Sequence, residues 1–324
     1  MKIKKEYIIL AVIIAALLIY LSQRRTDRTL YKLPDVPEIS NSDITKIEII
    51  KNSTPIVLSK EGDRWTIGPK KYPADTLKVT NILDVIGKLT LTALVSESKS
   101  YNRYNLDDDN KITVKAFDKD KLKLEFDIGK AASSFRHTFV KISGDERVFH
   151  ARGSFRGKFD RTVDDLRDKT VLAFKLSEID DIYITNGNKE ISFRRTKSSL
   201  EVKESKETDA SNPKSQQTEI TWQNASGKKG DNSKINRLLT TLSDLSCEKY
   251  LSGQSKDEFT GPLYTLLLKG SKEYKLSIFE KLDPDNEDYP AISSENSYPF
   301  ILSGSQVKSI MEDPDELLEK KDKK

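Results

Sequence analysis

Apolar residues recur along this chain at two periods, and the longer period is met twice. Val79, Ile82, Leu83, Ile86 and Leu89 follow the i, i+3, i+4, i+7 spacing of an amphipathic helix. The same stripe returns 156 positions later as Ile235, Leu238, Leu239, Leu242 and Leu245, and Asp75 and Asp231 stand where each helix takes its N-cap. Around the first helix the period falls to two, which predicts strands. Ile44, Ile47 and Ile49 open the series, and Ile56–Leu58 and Trp65–Ile67 flank a Glu61-Gly62-Asp63 turn. Lys111–Phe117, Lys121–Ile128 and Thr138–Ile142 follow, with Val148-Phe149 after a Ser-Gly-Asp-Glu turn. Phe155, Phe159, Val163 and Leu166 then predict one closing helix.

Self-similarity at a fixed offset points to duplicated units. The second unit follows the plan from Phe174 to about Met311, with strands at Tyr264–Lys269, Lys275–Phe279 and Tyr298–Leu302. Ser42-Asp43-Ile44 matches Ser177-Glu178-Ile179 at an offset of 135, whereas Trp65 matches Trp222 at 157. The surplus falls in residues 196–218, which are rich in Lys, Ser, Glu and Gln and predict a mobile polar hairpin insert. The expected fold class is α+β: two tandem homologous units, each mainly antiparallel sheet with a packed amphipathic helix, after an N-terminal transmembrane helix. The expected domains are a membrane anchor with basic flanks at 1–28, a linker at 29–38, α+β units at 39–172 and 173–311, and a charged tail without a core face at 312–324.

The anchor rests on residues 7–21, which carry no charge and no helix breaker. Fifteen helical residues reach roughly 22 Å against a hydrocarbon core of about 30 Å, and counting from Ile3 with Lys4 and Lys5 snorkelling makes up most of the shortfall. A cleaved signal peptide is the rival, but Ile19-Tyr20-Leu21-Ser22-Gln23 offers no small-residue cleavage site. Basic residues flank both ends of the span. A six-residue stub is easier to leave in the cytoplasm than a long folded body, so the bulk of the chain is expected outside the cytoplasmic membrane.

The net charge of +4 belongs to those flanks, because residues 29–324 hold 49 basic and 49 acidic residues. A neutral body lacks the electrostatic footprint of a nucleic-acid binder. The lone Cys247 excludes an internal disulfide.

Motifs for chemistry are absent or incomplete, so no cofactor, no metal and no catalytic residue is assigned. His137 and His150 have no further ligand at metal spacing. Asp107-Asp108-Asp109-Asn110-Lys111 starts like a calcium loop, yet Lys111 takes a ligand position and the loop glycine is missing. Gly227-Lys228-Lys229 resembles the end of a phosphate loop, but Lys229 replaces Ser or Thr and Trp222 the first Gly. Two weaker constellations are weighed. Lys70 and Lys71, and Lys228 and Lys229, precede the repeated helix, whose N-terminus favours anions; the caps Asp75 and Asp231 compete for that end, and solvated loop lysines are the default. Arg152, Arg156, Lys158 and Arg161, interleaved with Phe155 and Phe159, suit lipid headgroups or an acidic partner, or simply hydrate an amphipathic helix.

Several short runs resemble one family. They are Asp-Arg-Trp-Thr-Ile, Pro-Ala-Asp before the first helix, Tyr104-Asn105-Leu106, Ile128-Gly129-Lys130, Thr138-Phe139-Val140-Lys141, Val148-Phe149, and Leu166-Arg167-Asp168-Lys169 with Phe174. Together they resemble the bacterial domain-of-unknown-function family 4340. That resemblance implies an amino-terminal anchor, duplicated units, and an accessory role beside gliding-motility-type ABC transporter components. The family's usual Tyr-Gly-Leu reads Tyr-Asn-Leu here, and no functional residue is carried over. The leading expectation is therefore a single-pass, non-enzymatic, extracytoplasmic accessory or scaffold subunit, partnered by the membrane through residues 7–21 and by an ABC permease or envelope protein. A tethered binding module for a cell-envelope polymer is the alternative, and an unrecognised envelope enzyme the second.

Overall fold

The computed structural model describes residues 12–20, 31–199, 218–251 and 253–319. Residues 12–20 are helical (α1), with Val12, Leu17, Leu18 and Ile19 all more than half exposed. Residues 7–11 and 21 of the expected span lie outside the described residues, and among those described no helix is long and apolar enough to cross a membrane. The rest is α+β with antiparallel sheets, divided into two compact units between Leu166 and Arg167.

In the first unit β1 (Lys46–Lys51), β2 (Thr54–Glu61), β3 (Arg64–Ile67) and β4 (Tyr72–Pro73) precede α2 (Thr76–Gly87). They are followed by β5 (Leu91–Ser96), β6 (Ile112–Asp118), β7 (Lys121–Ala131), β8 (His137–Ile142) and β9 (Val148–Arg152). The sheet runs β4-β3-β2-β1-β6-β7-β8-β9-β5. Alternation decides its faces: Ile47, Ile49, Leu58, Val114, Phe126, Val140 and Phe149 turn to the core, where they meet Val79, Ile82, Leu83 and Ile86 of α2. Each fully buried aliphatic side chain there is worth roughly 1.5–3 kcal/mol. The Asp75 carboxylate accepts the Lys78 amide at 3.0 Å, so the cap is made as the sequence predicts.

The single closing helix expected from Phe155 to Leu166 is two short ones, α3 (Arg156–Phe159) and α4 (Val163–Leu166). Thr162 breaks it: its hydroxyl and amide pair with the Asp165 carboxylate, and it starts a new helix instead of continuing the old. The apolar positions survive the break, since Phe155, Phe159 and Leu166 are all buried.

The second unit holds β10 (Thr170–Ala173), β11 (Ile179–Asn186), β12 (Lys189–Ser199), β13 (Thr218–Asn224), α5 (Asn232–Leu242), β14 (Asp244–Ser246) and β15 (Lys249–Tyr250). β16 (Tyr264–Gly270), β17 (Glu273–Ile278), β18 (Asp288–Ser293), β19 (Phe300–Ser303) and α6 (Gly304–Ile310) complete it. Its main sheet runs β13-β12-β11-β16-β17-β18-β19-β15, and β10 pairs with β14 apart from it. Val171 and Leu172 sit in this second core, which is why the division falls ahead of the boundary at 172/173 read from the sequence. Strand for strand, apart from β4, the main order matches the first sheet. Ile49↔Ile56 and Ile47↔Leu58 correspond to Ile184↔Ile191 and Ile182↔Phe193, and Val140↔Phe149 to Ala291↔Phe300. β12 and β13 stay paired to Ser199↔Thr218, while residues 200–217 of the polar insert lie outside the described residues.

The expected charged tail is partly core. Pro314–Leu317 forms a 3₁₀ turn, and Leu317 is fully buried among the second unit's apolar residues. The Asp231 amide donates to Leu317 O at 2.8 Å and Lys234 Nζ to Glu316 O at 2.8 Å. In the first unit the Asp75 amide donates to Leu166 O at 2.9 Å and Lys78 Nζ to Asp165 O at 2.7 Å. Pro-Asp-Glu-Leu thus closes the second helix as Val-Asp-Asp-Leu closes the first, a likeness hidden by the dense charge around Leu317. Asp75→Ala and Asp231→Ala are each expected to cost about 1 kcal/mol through the lost cap, measured as a lower thermal midpoint; an unmoved midpoint would refute the capping role.

Candidate functional site

The residues proposed from sequence are held in different ways. Lys70 and Lys71 are exposed on the turn before β4, and Lys71 Nζ is paired with Glu61 at 2.8 Å. At the helix N-terminus itself, burial alone would raise the Asp75 carboxyl. The Lys78 amide and ammonium outweigh that and hold it below the ordinary carboxylate range. The protein's own anion therefore occupies that end. Lys228 and Lys229 are exposed on a turn whose amides are spent internally: Asn224 Oδ1 accepts from Ser226 N and Lys228 N, and Asn224 O from Gly227 N. A phosphate nest needs those donors free. Asp231 Oδ1 likewise fills the N-terminus of α5, accepting Ser233 N and Lys234 N.

Arg156 is a clamp rather than a solvated cation. Its guanidinium donates to Ile128 O at 3.0 Å and Asn110 O at 2.6 Å, tying α3 to β7 and to the loop before β6. Lys158 stays partly exposed, beside Asp84. The Asp107–Lys111 turn is closed by Asn110 Nδ2 on Asp107 and by Lys111 Nζ on Asp108 at 2.6 Å, so lysine stands where a cation would need oxygen. Among the described residues no group of three or more His, Cys, Asp or Glu could hold a metal.

What the sequence scatters, the first sheet gathers on the face turned away from its core. Thr113, Asp127 and Lys141 are register partners across β6, β7 and β8. Asp127 is buried and accepts from Thr113 Oγ1 at 2.7 Å, with Lys141 Nζ at 3.2 Å. Lys141 Nζ also lies 5.0 Å from the centre of the Tyr101 ring. Thr113, Asp127 and Lys141, with Lys111 and Glu125, line a hollow of about 590 Å³. Beside it runs an aromatic row: Tyr104 on Phe139 at 4.9 Å, Phe139 on His150 at 4.8 Å, and His150 stacked on His137 at 5.2 Å.

Two backbone requirements lock the segment from Tyr101 to Leu106 over this face. Asn105 adopts φ +55°, a left-handed conformation that Asn tolerates far better than most residues. That accounts for asparagine at a place where glycine is the usual alternative. At Gly129 a Cβ would lie 2.2 Å from Tyr104 O, so only glycine lets the segment approach. Three of the sequence runs that carry the resemblance therefore meet in one place.

The family described as Domain of unknown function (DUF4340) matches residues 65–263. The chain belongs to this family. The DUF4340 match begins at Trp65 in β3 and reaches into the segment between β15 and β16, so it takes in the whole outer-face hollow of the first unit. No curated protein and no solved structure matches the chain.

Chemically the hollow is a ladder of paired charges suited to holding a polar surface in register. Sequence reasoning missed the histidine pair beside the hollow because it depends on the β8–β9 register. Burial pushes the His150 imidazole below its ordinary value, and the charge of His137 adds to this; Nε2 has no hydrogen-bond partner among the described residues. The unfolded chain then takes up a proton that folded His150 refuses. Stability present above about pH 6.5 should be lost progressively as pH falls through the folded value. His150→Phe should flatten the loss between pH 6.5 and 5 in urea unfolding of the first unit; an equal acid slope in both proteins would count against His150.

Proposed function

We propose that this DUF4340 protein is a single-pass membrane-anchored, extracytoplasmic accessory or scaffold subunit without enzymatic activity, working beside an ABC-type transport or export system. The observation that carries the reading is the uncharged run 7–21, whose described part is a helix of exposed large aliphatic side chains. A folded aqueous domain does not leave so many apolar side chains in water without a partner. Family membership supports the accessory role through the transporter neighbourhood that the resemblance implies. The two units are proposed to be a tandem duplication, supported by their matching strand order, core register and helix-closing bonds.

Duplicated sheets with charge-paired outer faces suit a spacer that presents surfaces to neighbouring proteins. Isolation of the full chain from membranes in mild detergent tests this. Co-isolation of an ABC permease is the expected result, and recovery of a lone protein, or of the intact chain in the aqueous fraction, would overturn it.

A further inference from the structure

We propose that one end of the first unit rests on an anionic phospholipid surface through Phe135, Arg136, Arg152 and Lys158; the inference rests on the tethered reading above. Phe135 lies at the tip of the turn joining β7 to β8, 74 % exposed and at φ +55°, a backbone region bulky residues rarely adopt. Its amide donates to Ala132 O at 2.8 Å, which holds the ring outward. Backbone hydrogen bonds join this turn to segments that carry cations. Gly153 N donates to Arg136 O at 2.8 Å, placing Arg136 against the Arg152–Ser154 segment, and Arg152 N donates to Thr90 O at 2.9 Å, which brings in Lys88.

Arg152, Lys158 and Lys88 line a hollow of about 230 Å³ whose one acid is Asp84. Asp84 is already engaged by Asn41 Nδ2 at 3.0 Å and Lys88 Nζ at 3.4 Å. Arg136, Arg152 and Lys158 form no ion pair among the described residues. An exposed aromatic ring among unpaired guanidinium and ammonium groups fits the headgroup boundary, where rings insert and phosphates pair with cations.

The tether reaches the same end. Leu33, Pro34 and Val36 share a hollow with Gly87–Leu91, the segment that carries Lys88. Eleven residues from Tyr20 to Tyr31 span at most about 40 Å, so this end stays close to any bilayer that holds residues 7–21. Lipid contact also completes the sequence reading of the basic Phe155–Arg161 segment: Arg156 is consumed as a clamp, and Lys158 joins a surface built from three other elements.

The test uses the full chain with Ser133→Cys labelled by a fluorophore, Cys247 being buried, in vesicles of phosphatidylglycerol and phosphatidylcholine or of phosphatidylcholine alone. Quenching by a headgroup nitroxide lipid is expected in the anionic vesicles only. Arg136→Gln and Arg152→Gln should each lower the docked-to-undocked ratio about fivefold, with unchanged urea midpoints, and molar salt should release the label. A chain that floats with neither vesicle overturns the tethered reading and this one together. A chain that floats with both but is unquenched, or is quenched equally in both, overturns the docking alone.

Discussion

Gly129→Ala is expected to cost the first unit about 3 kcal/mol, at the upper end of what overpacking does. The added Cβ would sit 2.2 Å from Tyr104 O, 3.0 Å from Leu106 Cγ and 3.2 Å from Phe139 O. Two of those neighbours are backbone oxygens, which cannot swing aside as a side-chain end can. The Tyr101–Leu106 segment would have to lift away from β7, taking with it the Tyr101 ring under Lys141 and the Tyr104 ring against Phe139. Each unit carries one tryptophan, Trp65 in the first and Trp222 in the second. Fluorescence in a Trp222→Phe background therefore reads the first unit alone. Its thermal midpoint should drop by roughly 6–12 °C, and an unmoved Trp65 transition would mean that the segment yields freely.

Leu317→Ala should remove a similar amount, about 3 kcal/mol, from the second unit. Leu317 is fully buried, and its carbonyl accepts the amide of the helix cap Asp231. Deleting residues 313–324 should cost more, because it also strips Lys234 of its Glu316 partners and leaves the cap amide without its acceptor. Leu166→Ala should weaken the first unit to the same degree, since Leu166 receives the Asp75 amide in the same way. If truncation at 312 left the Trp222 transition where it was, residues 313–319 would be a tail after all.

Local signals made most of the secondary structure legible. The stripes Val79–Ile86 and Ile235–Leu242, their aspartate caps and the Glu61-Gly62-Asp63 hairpin turn depend only on near neighbours, and each is where periodicity predicts; the last position of each stripe is not helical, since Leu89 follows the end of α2 and Leu245 lies in β14. Long-range pairing was not legible. β5 returns to the far edge beside β9, and β10 pairs with β14, through contacts that no local period records. The same limit hid the outer-face hollow: Thr113, Asp127 and Lys141 are fourteen residues apart at each step and meet only once the register is set. Leu317 was hidden differently, because Leu317-Leu318 is a two-residue apolar step in a charged run, although Val163-Asp164-Asp165-Leu166 supplied the template for reading it.

Ser199 and Thr218 are direct partners at the end of the β12–β13 ladder, so their Cα atoms stand only about 5 Å apart. Any folded cargo whose own ends lie side by side, such as a fluorescent reporter or an epitope cassette, could be spliced there in place of residues 200–217. The ladder would then serve as a grafting port on the second unit, letting the protein be tracked in cells with both of its natural termini left untouched.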